Sequence, residues 1–184
     1  MKTPIKLILA TVALHLAMSA APASAADTQS KAVYNSTNEK AAADYKQARA
    51  QCDSITGNPK DVCVAQAKAA RVQTEANATA AYKGTPAARA SARDDIANAN
   101  YDVESAKCGS QTGTQKDVCI KQAKANQVAA KSDATADKKA TQAWNDANED
   151  KLTANYKVAK EKCDAFAGQR KDDCVTAAKN QYGK

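Results

Sequence analysis

Small apolar residues recur along this chain at intervals of three and four. Ala41, Tyr45, Ala48, Cys52 and Ile55 are spaced 4, 3, 4 and 3 positions apart, and so are Leu152, Tyr156, Ala159, Cys163 and Phe166. That spacing puts each set on one face of a helix, as a heptad seam. The matching stretch in mid-chain carries Glu104 and Gln111 at seam positions and makes a weaker stripe. Cys63, Ala67 and Ala70 continue a small-residue stripe beyond the first seam, as Cys119 and Ala123 do beyond the second. Alanine seams let helices approach closely but bury little area, so stability per residue is expected to be low. The pattern predicts an all-α protein.

The seams belong to a repeat. YKQARAQCDSITGNPKDVCVAQAK (45–68), YDVESAKCGSQTGTQKDVCIKQAK (101–124) and YKVAKEKCDAFAGQRKDDCVTAAK (156–179) align without a gap. In each, a Tyr precedes a Cys by seven positions, a Gly follows that Cys by five, and a second Cys follows by eleven. The period is 56 and then 55 residues, from Cys52 to Cys108 to Cys163. Ala78-Thr79-Ala80 also matches Ala134-Thr135-Ala136, so the duplication runs past the cores. Repetition on this scale marks a supersecondary unit.

The turn chemistry of each unit predicts a helical hairpin. Gly57, Gly113 and Gly168 suit the left-handed residue that ends a helix. Asn58 and Thr114 are good N-caps and Gln169 is a poor one. Pro59 then takes the first helical position, and Asp61, Asp117 and Asp172 complement the dipole of the new helix. One Cys lies just over a turn before the Gly and the other just over a turn after the cap. Six cysteines allow fifteen pairings. The repeat favours Cys52–Cys63, Cys108–Cys119 and Cys163–Cys174, each closing a loop of about 12 residues and contributing roughly 3 kcal/mol.

The linkers differ. Gly84-Thr85-Pro86 breaks the first, with Thr85 as cap of a new helix. Residues 114–167 contain neither Gly nor Pro, and one helix of that length would run about 80 Å. Ser132-Asp133 and Asn145 to Asn148 are its expected weak points. The expected fold is an elongated up-and-down bundle of three repeated, disulfide-stapled helical hairpins, with Ala26 to Asn38 and the last residues fraying.

Ahead of the repeats stands an export signal, expected over 1–25. Lys2 and Lys6 precede a short apolar run, Ile5 to Ala17, and Ala23-Ser24-Ala25 is a cleavage site. The remaining 26–184 form the repeat domain. Of 27 basic and 20 acidic residues the signal takes Lys2 and Lys6, leaving 25 against 20, a net +5. It also takes His15, the chain's one histidine, which excludes His-dependent triads, His ligands and a His switch from the exported part. The large aliphatics left are three Ile, nine Val and Leu152, a core too thin to stand without the cysteines. Six cysteines in an exported chain read first as disulfides, which places the protein in the periplasm or outside the cell.

Other readings of these residues stay open. The cysteines are structural staples, thiolate metal ligands or redox thiols. Metal sites usually set Cys two to four residues apart, and redox pairs favour Cys-x-x-Cys; ten intervening residues fit a staple better. Tyr45, Tyr101 and Tyr156, one heptad before a Cys, are packing residues or a binding surface. Trp144, alone in a polar linker, is a partner anchor or a lid over the alanine seam. Lys60, Lys116 and Lys171 recur beside acids as a solvated face, with Asp117 and Lys121 placed to pair. No one-sign stripe or motif points to nucleic acid, no cofactor is implied, and no catalytic motif is present, so no enzyme is expected. The positive charge allows weak contact with anionic envelope polymers.

The Ala/Lys-rich, Gly/Pro-free stretch KQAKANQVAAKSDATADKKATQAW, Lys121 to Trp144, resembles the helical middle region of TolA-type cell-envelope proteins. The resemblance implies an envelope-spacing or scaffold role. It does not carry over translocation or energy transduction, because a cleavable signal replaces the retained anchor and no separate C-terminal globular domain follows. The expected function is therefore that of an exported structural or interaction protein. It would present a long helical surface to an envelope partner or to itself, without a stable membrane span. The alternative is a stress-linked periplasmic binding module, a holdase chaperone or a thiol metal buffer.

Overall fold

A computed structural model describes residues 30–184. The expected signal peptide (1–25), its cleavage site and residues 26–29 lie outside the described residues. Five α-helices are present among the described residues: α1 Lys31–Gln51, α2 Asn58–Lys83, α3 Pro86–Lys107, α4 Gly113–Cys163 and α5 Gln169–Tyr182.

Each helix begins and ends for a local reason. Ser30 opens α1, its hydroxyl accepting from the Val33 N–H at 3.3 Å. This cap makes 31–38 helical where fraying was expected. α2 ends at Gly84, whose φ of 63° is left-handed and whose N–H donates to the Ala80 carbonyl at 2.9 Å. Thr85 then caps α3 through its hydroxyl on the Ala88 N–H, 3.1 Å, with Pro86 at the first helical position. α4 runs unbroken for 51 residues, about 75 Å. Ser132-Asp133 and Asn145 to Asn148 do not interrupt it, because such residues each weaken a helix by a fraction of a kcal/mol and none removes a backbone bond. α5 is closed by Gly183 at φ 65°, so the last residues are capped rather than frayed.

The repeat glycines sit one element later than their expected place. α1 and α3 run into short 3₁₀ turns, Cys52–Ser54 and Cys108–Ser110. The first turn is closed by the Ile55 N–H on the Cys52 carbonyl, and the second by Gln111 on Cys108. The first helix is thus finished at its cysteine, and Gly57 opens the second instead. Gly57 (φ 65°, ψ −154°) and Gly168 (φ 58°, ψ −145°) are the N-caps of α2 and α5. That backbone region is nearly closed to residues with a Cβ. Asn58 is therefore already helical, and its side chain is released for another task.

Packing follows chain order. α1 packs on α2, α2 on α3, α3 on α4 and α4 on α5. The result is an elongated up-and-down bundle of three stapled hairpins, with α1, α2, α3 and the first half of α4 side by side. α5 lies against the far half of α4. The turns of the first two hairpins touch: Asn58 Nδ2 donates to the Ala106 carbonyl at 2.7 Å. A Cβ at Gly109 would run into the Asn58 amide, which would have to swing away and give up the Ala106 carbonyl. The buried positions are mostly alanines, and the largest fully buried side chains are Cys52, Cys108 and Cys163. One half of each bridge is thus fully buried at its turn, while the partner cysteines Cys63, Cys119 and Cys174 are half-buried. Phe166, assigned to a seam by spacing, is 43% exposed because the helix has ended before it.

Candidate functional site

The distinctive features of the surface are the three stapled turns and the open side of α4. Cys52 bonds Cys63, Cys108 bonds Cys119 and Cys163 bonds Cys174, with Cα–Cα distances of 5.7, 5.7 and 5.6 Å. These lie in the unstrained range for a bridge. No free cysteine remains among the described residues, which include all six. Three disulfides are those of a chain that matures in an oxidising, non-cytoplasmic environment.

Two turns carry a further lock that pattern reading missed. Lys60 reaches across the first turn to Asp53 at 3.3 Å, joined by Arg49 at 2.6 Å. Lys171 reaches across the third to Asp164 at 2.8 Å. Hydrogen bonds from Arg49 and then Lys60 lower the Asp53 pKa below its ordinary value. The Lys171 hydrogen bond does the same for Asp164, and Asp164 in turn raises Lys171. The middle unit has Gly109 where the others have Asp, and there the Asn58 amide lies against the glycine. The signal was legible: an Asp directly follows the first Cys in the two units whose Lys is engaged. The expected Asp117–Lys121 pair is not formed among the described residues.

The repeat tyrosines are half-buried packing residues, and two of them have a cation above the ring. The Arg71 guanidinium lies 5.6 Å from the Tyr45 ring centre and the Lys124 ammonium 5.4 Å from that of Tyr101. Tyr156 is half-buried on the α4 seam. Tyr34 stacks on Tyr82 with centroids 4.9 Å apart, a pair outside the repeat register.

The seam of α4 is covered by α3 and then α5, and the solvent side of the helix carries four large apolar side chains, spread around it rather than gathered on one strip. Val118, Val128, Trp144 and Val158 are 60, 52, 69 and 56% exposed. Trp144 is therefore no lid over an alanine seam. Among the described residues, no group of three or more His, Cys, Asp or Glu is placed to hold a metal ion. No described helix is long and apolar enough to cross a membrane. An open groove of about 440 Å³ between α2 and α3 is lined by Glu75, Asp95 and Asp102 together with Lys68 and Lys83. Comparison with protein-family models, with curated proteins and with solved structures finds no match to this chain.

Proposed function

We propose that this is an exported structural or interaction protein of the cell envelope, periplasmic or secreted, whose disulfides hold a long helical surface for a protein partner. The observation that carries the reading is the uncovered solvent side of α4. It is a 51-residue helix with four large side chains exposed, braced by stapled hairpins at both ends. The Ala/Lys-rich stretch 121–144, the part that resembles TolA-type spacers, lies within this helix. The fold supplies stiffness and length, and no catalytic role is assigned to it. The basic excess adds weak attraction to anionic envelope polymers. In-cell photo-crosslinking from positions on this side, followed by identification of the adducts in envelope fractions, tests the reading. Adducts with one envelope protein, or with the chain itself, are expected; none from any α4 position removes it.

The exposed valines and Trp144 also favour a second reading, a holdase that shields unfolded clients. It predicts suppression of client aggregation at stoichiometric protein. The related metal-buffer reading requires reduction first, since all six thiols are engaged.

A further inference from the structure

Two grooves on α4 have only one wall. Between α2 and α3, the side chains of Val72, Ala76 and Thr79 face those of Ala88, Ala92 and Ala99 across a groove. Fifty-six residues on, Val128, Ser132 and Thr135 line a hollow on α4 with nothing opposite. Likewise Asn58, Pro59 and Val62 share a hollow with Lys107 and Ser110. Their counterparts Thr114, Gln115 and Val118 line theirs with Gln111 and Cys119 of their own hairpin and no facing helix. In both places the missing wall is the counterpart of α3 and its turn, which at the second period of 55 is residues 141–165. Burial agrees: Ala76 is 7% exposed, whereas its counterpart Ser132 is exposed.

The wall is missing because the chain does not turn. Gly84-Thr85-Pro86 sends α3 back along α2. The counterpart is Ala140-Thr141-Gln142, inside α4, so 142–163 is carried away from the groove it would fill. Without Gly or Pro between 114 and 167, the segment has no local means of folding back.

We propose that a second copy of this chain fills the groove. Two α4 helices lie antiparallel and exchange their far halves, each with its α5, about a two-fold axis passing between Ala140 and Thr141. This deepens the reading of an interaction protein by naming the partner, and it rests on that reading in taking the bridges as formed. The register comes from α2 and α3, where Lys68 meets Asp102 at 3.2 Å. Carried along the periods, it sets Val128 against Thr153 and Lys131 against Asp150 of the second copy. The residues involved, 124, 128, 131, 135, 139, 142, 146, 150, 153 and 157, advance by three and four and form one face of a straight helix. The same face serves both roles, so the contact is isologous and closes at two copies. Lys131–Asp150 is attractive where the parent pair, Glu75 and Asp95, is like-charged. Lys124 against Lys157 is repulsive where Lys68–Asp102 attracts. The exchange also brings each third turn beside the second copy's first two. There Thr114, shorter than Asn58, leaves room for Asp164, the counterpart of Gly109.

Light scattering and sedimentation of the oxidised protein test this, with a free-thiol count on the same sample. A dimer is expected. Ala140→Gly with Gln142→Pro, which restores the corner, should give a monomer of unchanged helix content. Three exposed charge changes guard against a variant that does not fold. Lys157→Asp should tighten the dimer and Lys131→Asp weaken it, each by about three- to tenfold because the pair occurs twice. Adding Asp150→Lys to Lys131→Asp should recover the loss. A monomer with all bridges intact overturns the exchange and leaves the scaffold free for another partner, whereas free thiols would count against the scaffold itself. A dimer indifferent to both Lys157→Asp and Lys131→Asp also overturns the exchange.

Discussion

The chain passes the same point of its repeat twice and does opposite things. At Lys83-Gly84-Thr85-Pro86 it leaves one helix and enters another; at Lys139-Ala140-Thr141-Gln142 it continues a helix. The shared threonine shows the difference most directly. The Thr85 hydroxyl accepts from the Ala88 N–H and starts a helix, whereas the Thr141 hydroxyl donates to the Asp137 carbonyl at 2.8 Å, a bond made inside one. Two neighbours decide which. Gly84 can take φ 63° and Ala140 would be strained there. Pro86 cannot donate to a preceding turn and Gln142 can. Two residues thus divide a compact row, in which α2 and α3 each have two neighbours, from an extended arm in which α5 has one.

The largest expected effect tests that asymmetry. Cys163→Ser with Cys174→Ser should free α5, whose 14 residues are too few to stay helical alone. Hydrogen exchange should show loss of protection over 169–182, with about 3 kcal/mol lost locally. Cys108→Ser with Cys119→Ser should leave α3 protected, because α2 still packs on it; equal losses in both variants would break the comparison. Next, Gly84→Ala should cost about 1–2 kcal/mol by denaturant unfolding, since alanine must adopt a left-handed backbone. Ala140→Gly, in the helix interior, should cost about 1 kcal/mol for the different reason of helix propensity.

Asn58→Ala should cost about 1 kcal/mol by leaving the Ala106 carbonyl short of its donor. Gly109→Ala should displace the same amide and cost about as much, but little more once Asn58→Ala is present, a coupling readable from a double-mutant cycle. The smallest effect is on pH dependence. Asp53 and Asp164 have carboxyl pKa values held below the ordinary 3.8. Their stabilisation is present above that value and is lost as pH falls through the lowered values of the folded state. Both groups are exposed, so the acid shift in Tm should be slight and should shrink further in salt.

Much of this architecture was legible in the residues, because helix propensity, alanine spacing and cysteine repetition all act locally. The Gly84-Thr85-Pro86 break and the continuity of α4 follow from the presence and absence of two residue types. The local rules failed where a residue serves a neighbouring unit. Asn58 reads as an N-cap until the second hairpin supplies the Ala106 carbonyl, and Gly109 reads as an arbitrary change from Asp until Asn58 occupies its space. Gly57 likewise reads as the end of α1 until the 3₁₀ turn at Cys52 shows that the helix has already ended. The open face of α4 was not legible from one unit at a time. It emerges when two periods are superposed and one wall has no counterpart.

The order of the cysteines along the chain has a consequence for biogenesis. Every bridge joins two cysteines that are consecutive in the chain. A polypeptide entering an oxidising compartment from its N-terminus presents Cys52 and Cys63 before Cys108 has arrived. Pairing in order of arrival therefore gives the native set, and each hairpin can close on its own before the next is delivered. Thiol exchange between wrong partners, the slow stage for many secreted proteins, has little to correct here.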